Sequence, residues 1–314
     1  MSTDLLARAD RLRGERTPFV LATVVRAEKP TSAKAGDRAI LMSDGTIEGF
    51  VGGVCAESTV RVEGLRLLTH GDTTLLRITP TDDEGNPPPD RDQPEGLVVV
   101  GNPCLSGGTL DIFLEAVLPP TLVYVYGSAP IARALETVAA AAGFAVTAAT
   151  DPDVPIAADT SAVVVASHGR DEERVLERAV RAEVPYVGLV ASSRRGAAVL
   201  TELELSDDER ARVRTPAGLD IGARTPLEIA VSIVAELVSV KATLVPPRPR
   251  RLLPMVTPAE DEVAIDPVCH MSVAAVPASL HLTLDSGTWY FCGPGCRQAF
   301  ADDPGRYPAP AGRG

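Results

Sequence analysis

Basic charge is in short supply: 30 lysines and arginines face 42 aspartates and glutamates, a formal net charge of −12. Nucleic acid and anionic membrane both call for clustered Lys and Arg, so neither fits as a main partner. Long apolar runs are lacking as well. No hydrophobic leader follows Met1, and the Ala-rich run around Val138 to Ala142 is cut by Gly143, well short of a membrane span. A cytoplasmic protein without a membrane span is expected. Cysteine is scarce and odd in number: of five, Cys55 and Cys104 stand alone and Cys269, Cys292 and Cys296 cluster. That distribution cannot pair off as a disulfide framework and suits thiolate or metal chemistry.

What is present is material for cores: 45% of 314 residues are hydrophobic, enough for two or three domains. The stretch around which the chain is arranged is Gly49-Phe50-Val51-Gly52-Gly53-Val54-Cys55-Ala56-Glu57. Ahead of it, Ala39 to Met42 and Thr46-Ile47 flank Ser43-Asp44-Gly45, which predicts two strands and a tight turn. Behind it, Val60, Gly64, Leu67 and Leu68 recur at helical spacing, so Cys55 falls in the first turn of a helix. Unpaired N–H groups and the helix dipole attract anions there and lower a thiol's pKa. Gly52 and Gly53 bare the backbone, and Glu57 offers a carboxylate to N–H donors of a ligand. The competing reading is a glycine turn around a small buried residue.

The rest of the N-terminal domain, residues 1–118, reads as α+β. A helix is predicted from Thr3 to Glu15, and strands at Phe19 to Val25, Thr74 to Ile78, Leu97 to Val100 and Thr109 to Leu114. Thr81 to Gly96, Pro-rich and acidic, reads as a surface loop. The loop from Glu28 to Asp37 carries Lys29, Lys34 and Gly36, and Lys34 is taken as its anion contact. A second glycine-rich turn, Gly101 to Gly108, places Cys104, Ser106 and Gly107 where they can share the site of Cys55.

From Pro119 strands and helices alternate, which predicts a parallel sheet in a Rossmann-like domain over residues 119–245. Thr121 to Tyr126, a turn at Gly127 and a helix from Ile131 to Ala142 form a βαβ opening, but Ala129 and Ala132 stand where a dinucleotide fingerprint has glycines. A methyl at Ala129 argues against NAD(P). Polar clusters follow two later strands: Ser167-His168-Gly169-Arg170-Asp171 and Ser192-Ser193-Arg194-Arg195. Gly127, His168, Asp171, Ser192 and Arg194 are the ligand candidates at this sheet edge. Capping-box spacing marks Ser206 with Glu209, and Thr225 with Glu228, the second opening a helix to Val240 whose apolar Ala230, Ile233, Val234 and Leu237 are core or a dimer seam.

Residues 246–262, rich in Pro and Arg and then in acid, read as a linker. A small module over 263–308 follows, with strands at Leu280 to Leu284 and Thr288 to Phe291. So small a unit buries little apolar area, and a metal ion on Cys269, Cys292 and Cys296 would supply much of its stability; His270 or His281 could add a ligand.

Lys29-Pro30-Thr31-Ser32-Ala33-Lys34, Gly52-Gly53 with Cys55-Ala56-Glu57, Ser106-Gly107-Gly108-Thr109-Leu110, and Gly218-Leu219-Asp220-Ile221-Gly222 with Thr225-Pro226 together resemble the XdhC/CoxI family of accessory proteins for molybdenum hydroxylases. Asp266-Pro267-Val268-Cys269, Tyr290-Phe291-Cys292, Cys296 and Phe300 resemble a YHS or TRASH-like metal-binding module, with His270 in place of the usual glycine. The resemblance implies a non-enzymatic maturation factor that binds molybdenum cofactor (molybdopterin) and assists its sulfuration or insertion into an apo hydroxylase. The client would be of the xanthine dehydrogenase or carbon monoxide dehydrogenase type, with a cysteine desulfurase as a further partner and zinc or copper(I) on the C-terminal module. The alternatives are an NAD(P)-dependent oxidoreductase and a metal carrier or sensor built on the last module.

Overall fold

The computed structural model of the chain describes residues 2–81, 96–102, 108–240, 263–284 and 287–307. Among these, the residues up to Pro119 together with those from Val263 onward form one compact unit, and those from Pro120 to Val240 form another. None of the described helices is long and apolar enough to cross a membrane.

The first unit opens with α1 (Ser2–Gly14), β1 (Phe19–Glu28), β2 (Arg38–Met42), β3 (Ile47–Gly49), α2 (Val54–His70), β4 (Thr73–Pro80), β5 (Leu97–Asn102) and β6 (Thr109–Val117). Its strands form one sheet in the order β3-β2-β1-β6-β4-β5, antiparallel except for the β4–β5 pair. The period of two sorts β1 by face: Val20, Ala22 and Val24 join Val60, Leu65 and Leu68 of α2, while Phe19 joins Ala9 and Leu12 of α1 on the other side. Gly64 lets α2 lie close on the sheet, since a Cβ there would stand 2.4 Å from the Leu41 side chain. Cross-strand partners Arg77 and Asp111 make a two-pronged ion pair at 2.8 and 3.0 Å that ties β4 to β6.

The second unit contains β7 (Leu122–Tyr126), α3 (Pro130–Ala141), β8 (Ala145–Ala149), β9 (Thr160–Val165), α4 (Glu172–Arg181), β10 (Tyr186–Leu189), α5 (Ser193–Glu202), α6 (Asp207–Arg210), β11 (Val213–Arg214) and α7 (Pro226–Ser239). All five strands are parallel, in the order β8-β7-β9-β10-β11. Helices α3 and α7 cover one face and α4 and α5 the other, so β9 is buried along its whole length, as a doubly covered parallel strand must be. The face of α7 read from sequence as core or dimer seam is core: Ala230, Ile233, Val234 and Leu237 are all buried. Both capping boxes form, at Ser206 with Glu209 and Thr225 with Glu228. Counted from β7, the order is 2-1-3-4-5, so the winding reverses between β7 and β9 and the ligand crevice of such a sheet lies beyond its carboxyl ends.

The chain then returns to the first unit with β12 (Val263–Ile265), β13 (Ser272–Ala274), the hairpin β14 (Leu280–Leu284) and β15 (Gly287–Phe291), and α8 (Pro294–Asp302). Trp289, Phe291 and Phe300 make a small aromatic core. The module does not stand apart from the N-terminal domain. Ala274 and Val276 enter the core under α2, and Val276 approaches Gly45 so closely that a Cβ there would lie 2.8 Å from its methyl.

Candidate functional site

Gly52 adopts a φ of 135°, a region side chains avoid, and so turns the chain sharply out of β3 into α2. Gly53 is the N-cap of α2 and, having no side chain, leaves the first-turn N–H groups without a side-chain cap. These groups open onto a cavity of about 1130 Å³. One wall is Lys29 to Ser32, a second is Gly53 to Ala56, a third is formed by Asn102 and Gly108, and a fourth is Cys292 to Cys296 of the C-terminal module. Gly108 allows the first and third walls to meet, since a Cβ there would fall 2.3 Å from the Pro30 carbonyl oxygen. A cavity of this size takes a cofactor-sized ligand, and its N–H groups, its lysine and its thiols suit an anionic ligand that carries a soft atom.

Beside that cavity, Cys269 Sγ lies 3.4 Å from Cys292 Sγ, which lies 3.7 Å from Cys296 Sγ. Cys292 directly follows β15, and Cys296 sits in the first turn of α8 behind the N-cap Gly293. Asp266 shapes the loop that brings Cys269 in: fully buried, its carboxylate accepts from the N–H groups of Val268, Cys269 and Cys292. The thiols lie within hydrogen-bonding reach of one another. Hydrogen bonding from Cys292 holds Cys269 below the ordinary cysteine range despite burial, with the Met271 N–H assisting. Cys292 is raised in turn by its hydrogen bonds to Cys269 and Cys55, while burial and the neighbouring Cys269 and Asp266 push Cys296 up to about 12. A cation would reverse this, because thiolate ligands give up their protons on binding.

The second unit has its own cavity, about 700 Å³, at the carboxyl ends of its strands, lined by His168, by Val190 to Ser193 with Arg195, and by the loop from Pro216 to Asp220. Buried Glu172 fixes its rim: one oxygen accepts from the Gly169 N–H and the Ser167 hydroxyl, the other pairs with Arg195. Glu236 fixes the far loop, accepting from the Tyr186 hydroxyl at 2.6 Å, the Gly218 N–H at 2.7 Å and Arg214 at 2.9 Å. Burial alone would raise the Glu236 carboxyl, but these hydrogen bonds outweigh it and hold it below the usual carboxylate range.

Of the residues singled out from sequence, Gly53 and Cys55 line the first cavity, whereas Gly52 is buried and shapes the turn. Lys29, not Lys34, is the lysine on its wall; Lys34 is exposed, with its N–H bound to Asp37. Glu57, in the first turn of α2, lies beside Arg61 and is absent from that lining. Cys104, Ser106 and Gly107 lie outside the described residues, although Asn102 and Gly108 at the ends of their turn reach the cavity. His168 and Ser192 line the second cavity, joined by Arg195 in place of Arg194. Gly127 supports the sheet edge by close approach to the Ala166 carbonyl, and Asp171 is the left-handed N-cap of α4. His270 does not join the thiols: it is exposed, with a φ of 62° that explains why glycine suits this position, and borders a separate cavity against α2. His281 bonds the Ser279 carbonyl instead. Asp266 was missed as a positioning residue. Its signal is local, an aspartate two residues ahead of the N–H it binds.

The chain matches the XdhC and CoxI family over residues 12–79 and the XdhC Rossmann domain over residues 123–237, together more than half its length. It is 26% identical over 267 residues to the uncharacterized protein YqeB of Escherichia coli (strain K12), covering 76% of this chain and 46% of YqeB, so it spans about half that relative's length. It is 24% identical over 272 residues to the molybdenum cofactor insertion chaperone PaoD of the same organism, covering 71% of this chain and 83% of PaoD. A solved structure described as a xanthine dehydrogenase from Bacillus halodurans aligns at 18% identity with a TM-score of 0.36, covering 75% of this chain and 95% of that one.

Proposed function

Because the chain belongs to the XdhC and CoxI family, we propose that it is a chaperone that binds molybdenum cofactor in the N-terminal cavity and delivers it to an apo molybdenum hydroxylase. The observation that carries this is the convergence of the uncapped α2 N-terminus, Lys29 and the Cys55 thiol on one cavity of about 1130 Å³. Lys29 and the first-turn N–H groups would hold anionic oxygens, Cys55 would meet a soft atom, and side-chain-free Gly53 leaves room for the ligand. When bound, the cofactor supplies the client's redox-active metal; this chain holds, orients and releases it. The relative PaoD, named as an insertion chaperone, supports the reading. Cys55-Ala56-Glu57 favours a client of the carbon monoxide dehydrogenase type over the xanthine dehydrogenase type, with sulfuration by a cysteine desulfurase as a preceding step. The C-terminal module, in this reading YHS or TRASH-like, binds one zinc or copper(I) ion through Cys269, Cys292 and Cys296.

Anaerobic purification from cells making the cofactor, followed by pterin and molybdenum analysis, tests the proposal; both are expected to co-elute with the protein. The cavity at the carboxyl ends of β9 to β11 favours a second ligand on the parallel-sheet domain. Recovery of NAD(P) with neither pterin nor molybdenum would overturn the chaperone reading in favour of an oxidoreductase.

A further inference from the structure

Three thiols make an incomplete set for a tetrahedral ion. With metal–sulfur bonds of about 2.3 Å, tetrahedral ligands stand roughly 3.8 Å apart, and the sulfur separations of 3.4 and 3.7 Å already approach that spacing. They are far from the roughly 2.05 Å of a disulfide. Asp266 brings a carboxylate oxygen within 4.8 Å of the three sulfurs, but its two oxygens already accept three backbone N–H bonds. His270 is exposed and outside the ligand group. Cys55 also stands outside the group of donor atoms that all lie within 4.8 Å of one another, but it differs from both in its contacts. It packs, as Cys269 and Cys296 do, against the buried cluster of Met271, Val273 and Cys292, and its proximity to Cys292 helps to raise that thiol's pKa. It also rides on α2, the helix against which the C-terminal module docks through Ala274 and Val276.

We propose that Cys55 is the fourth ligand of a single thiophilic d10 cation, zinc(II) or copper(I), held with Cys269, Cys292 and Cys296. The inference rests on the metal reading of the C-terminal module and extends it to the N-terminal domain. A closed set of four thiolates is the arrangement of structural ions, so the ion staples the module onto α2 and fixes the fourth wall of the cavity. It also commits Cys55: a thiolate bound to the cation is withdrawn from any soft atom entering the cavity, so ion occupancy and capture of that atom at Cys55 exclude one another.

Alkylation of the reduced full-length protein, with and without one equivalent of zinc, tests this residue by residue when the labelled peptides are quantified by mass spectrometry. Zinc is expected to slow labelling of Cys55, along with Cys269 and Cys296, by about tenfold or more, because the free thiolate is the reactive species. If Cys269 and Cys296 are protected while Cys55 labels at its metal-free rate, the fourth-ligand assignment fails and the three-thiolate site stands. If zinc fails to bind and protects none of them, both fail. A Cys55→Ser variant with an unchanged circular dichroism spectrum is expected to bind zinc and copper(I) at least about tenfold more weakly, since even outer-shell changes at metal sites cost that much. Wild-type affinity for both ions in that variant would overturn the proposal.

Discussion

Cys55 has two neighbourhoods at once, the cavity it lines and the thiol cluster of Cys292 against which it packs. Cys55→Ser is near-isosteric and the residue is only half-buried, so metal-free protein is expected to lose no more than about 1 kcal/mol of stability while cofactor retention is abolished. Thermal melting and pterin analysis of the gel-filtered protein measure the two separately, and a larger loss of retention in Cys104→Ser would assign the site to the other turn. Lys29→Ala is expected to weaken cofactor binding by about 1.5–3 kcal/mol, the worth of a hydrogen bond to a charged group, while Lys34→Ala leaves it unchanged; equilibrium titration distinguishes them. The choice between these lysines was not legible in sequence, because which side chain of an irregular loop faces a ligand depends on the path of its backbone. Arg194 and Arg195 differ for a related reason: neighbours at a helix start point about 100° apart, and only Arg195 meets Glu172. Residue types were readable there, and directions were not.

Elements carried their own signals more fully. The helix α1, the hairpin β14–β15 and both capping boxes follow from local spacing, and the start of α2 falls one residue before Cys55 because Gly52 and Gly53 end the preceding turn. That N-terminus yields a prediction with opposing signs. Gly53→Asp adds an N-cap and a negative charge near the positive end of α2 and is expected to raise stability by a few tenths of a kcal/mol; nothing lies within 4 Å of the added Cβ. The same charge is expected to expel an anionic ligand from the cavity, so melting temperature rises as cofactor retention falls. At the other unit, Glu236 anchors the loop at Gly218 and its carboxyl is held below the usual range. A carboxyl depressed in the fold contributes stability that is fully present above its unfolded pKa, about 4.3, and is lost as pH falls through the folded value. Denaturant titrations across that window are expected to show this loss in the wild type and not in Glu236→Gln, which costs about 1–3 kcal/mol at pH 7 by weakening a buried network.

For the whole molecule, the contact between α2 and the C-terminal module joins segments that lie on either side of the parallel-sheet unit in sequence. Periodicity and capping describe neighbours along the chain, so a meeting of Cys55 with Cys292 leaves no trace in them; the cysteine spacing marked out a thiol cluster and not its seat. Stripping metal from the full-length protein is expected to lower the calorimetric transition of the first unit and leave that of the second in place; equal shifts in both would show one cooperative unit instead. The discontinuity of the first unit also orders events during synthesis. A ribosome delivers Lys29, Gly53 and Cys55 early, the parallel-sheet domain next, and Gly293 to Cys296 last. A nascent chain therefore holds a cavity with one side missing, and the cavity is completed only once translation has passed Cys296.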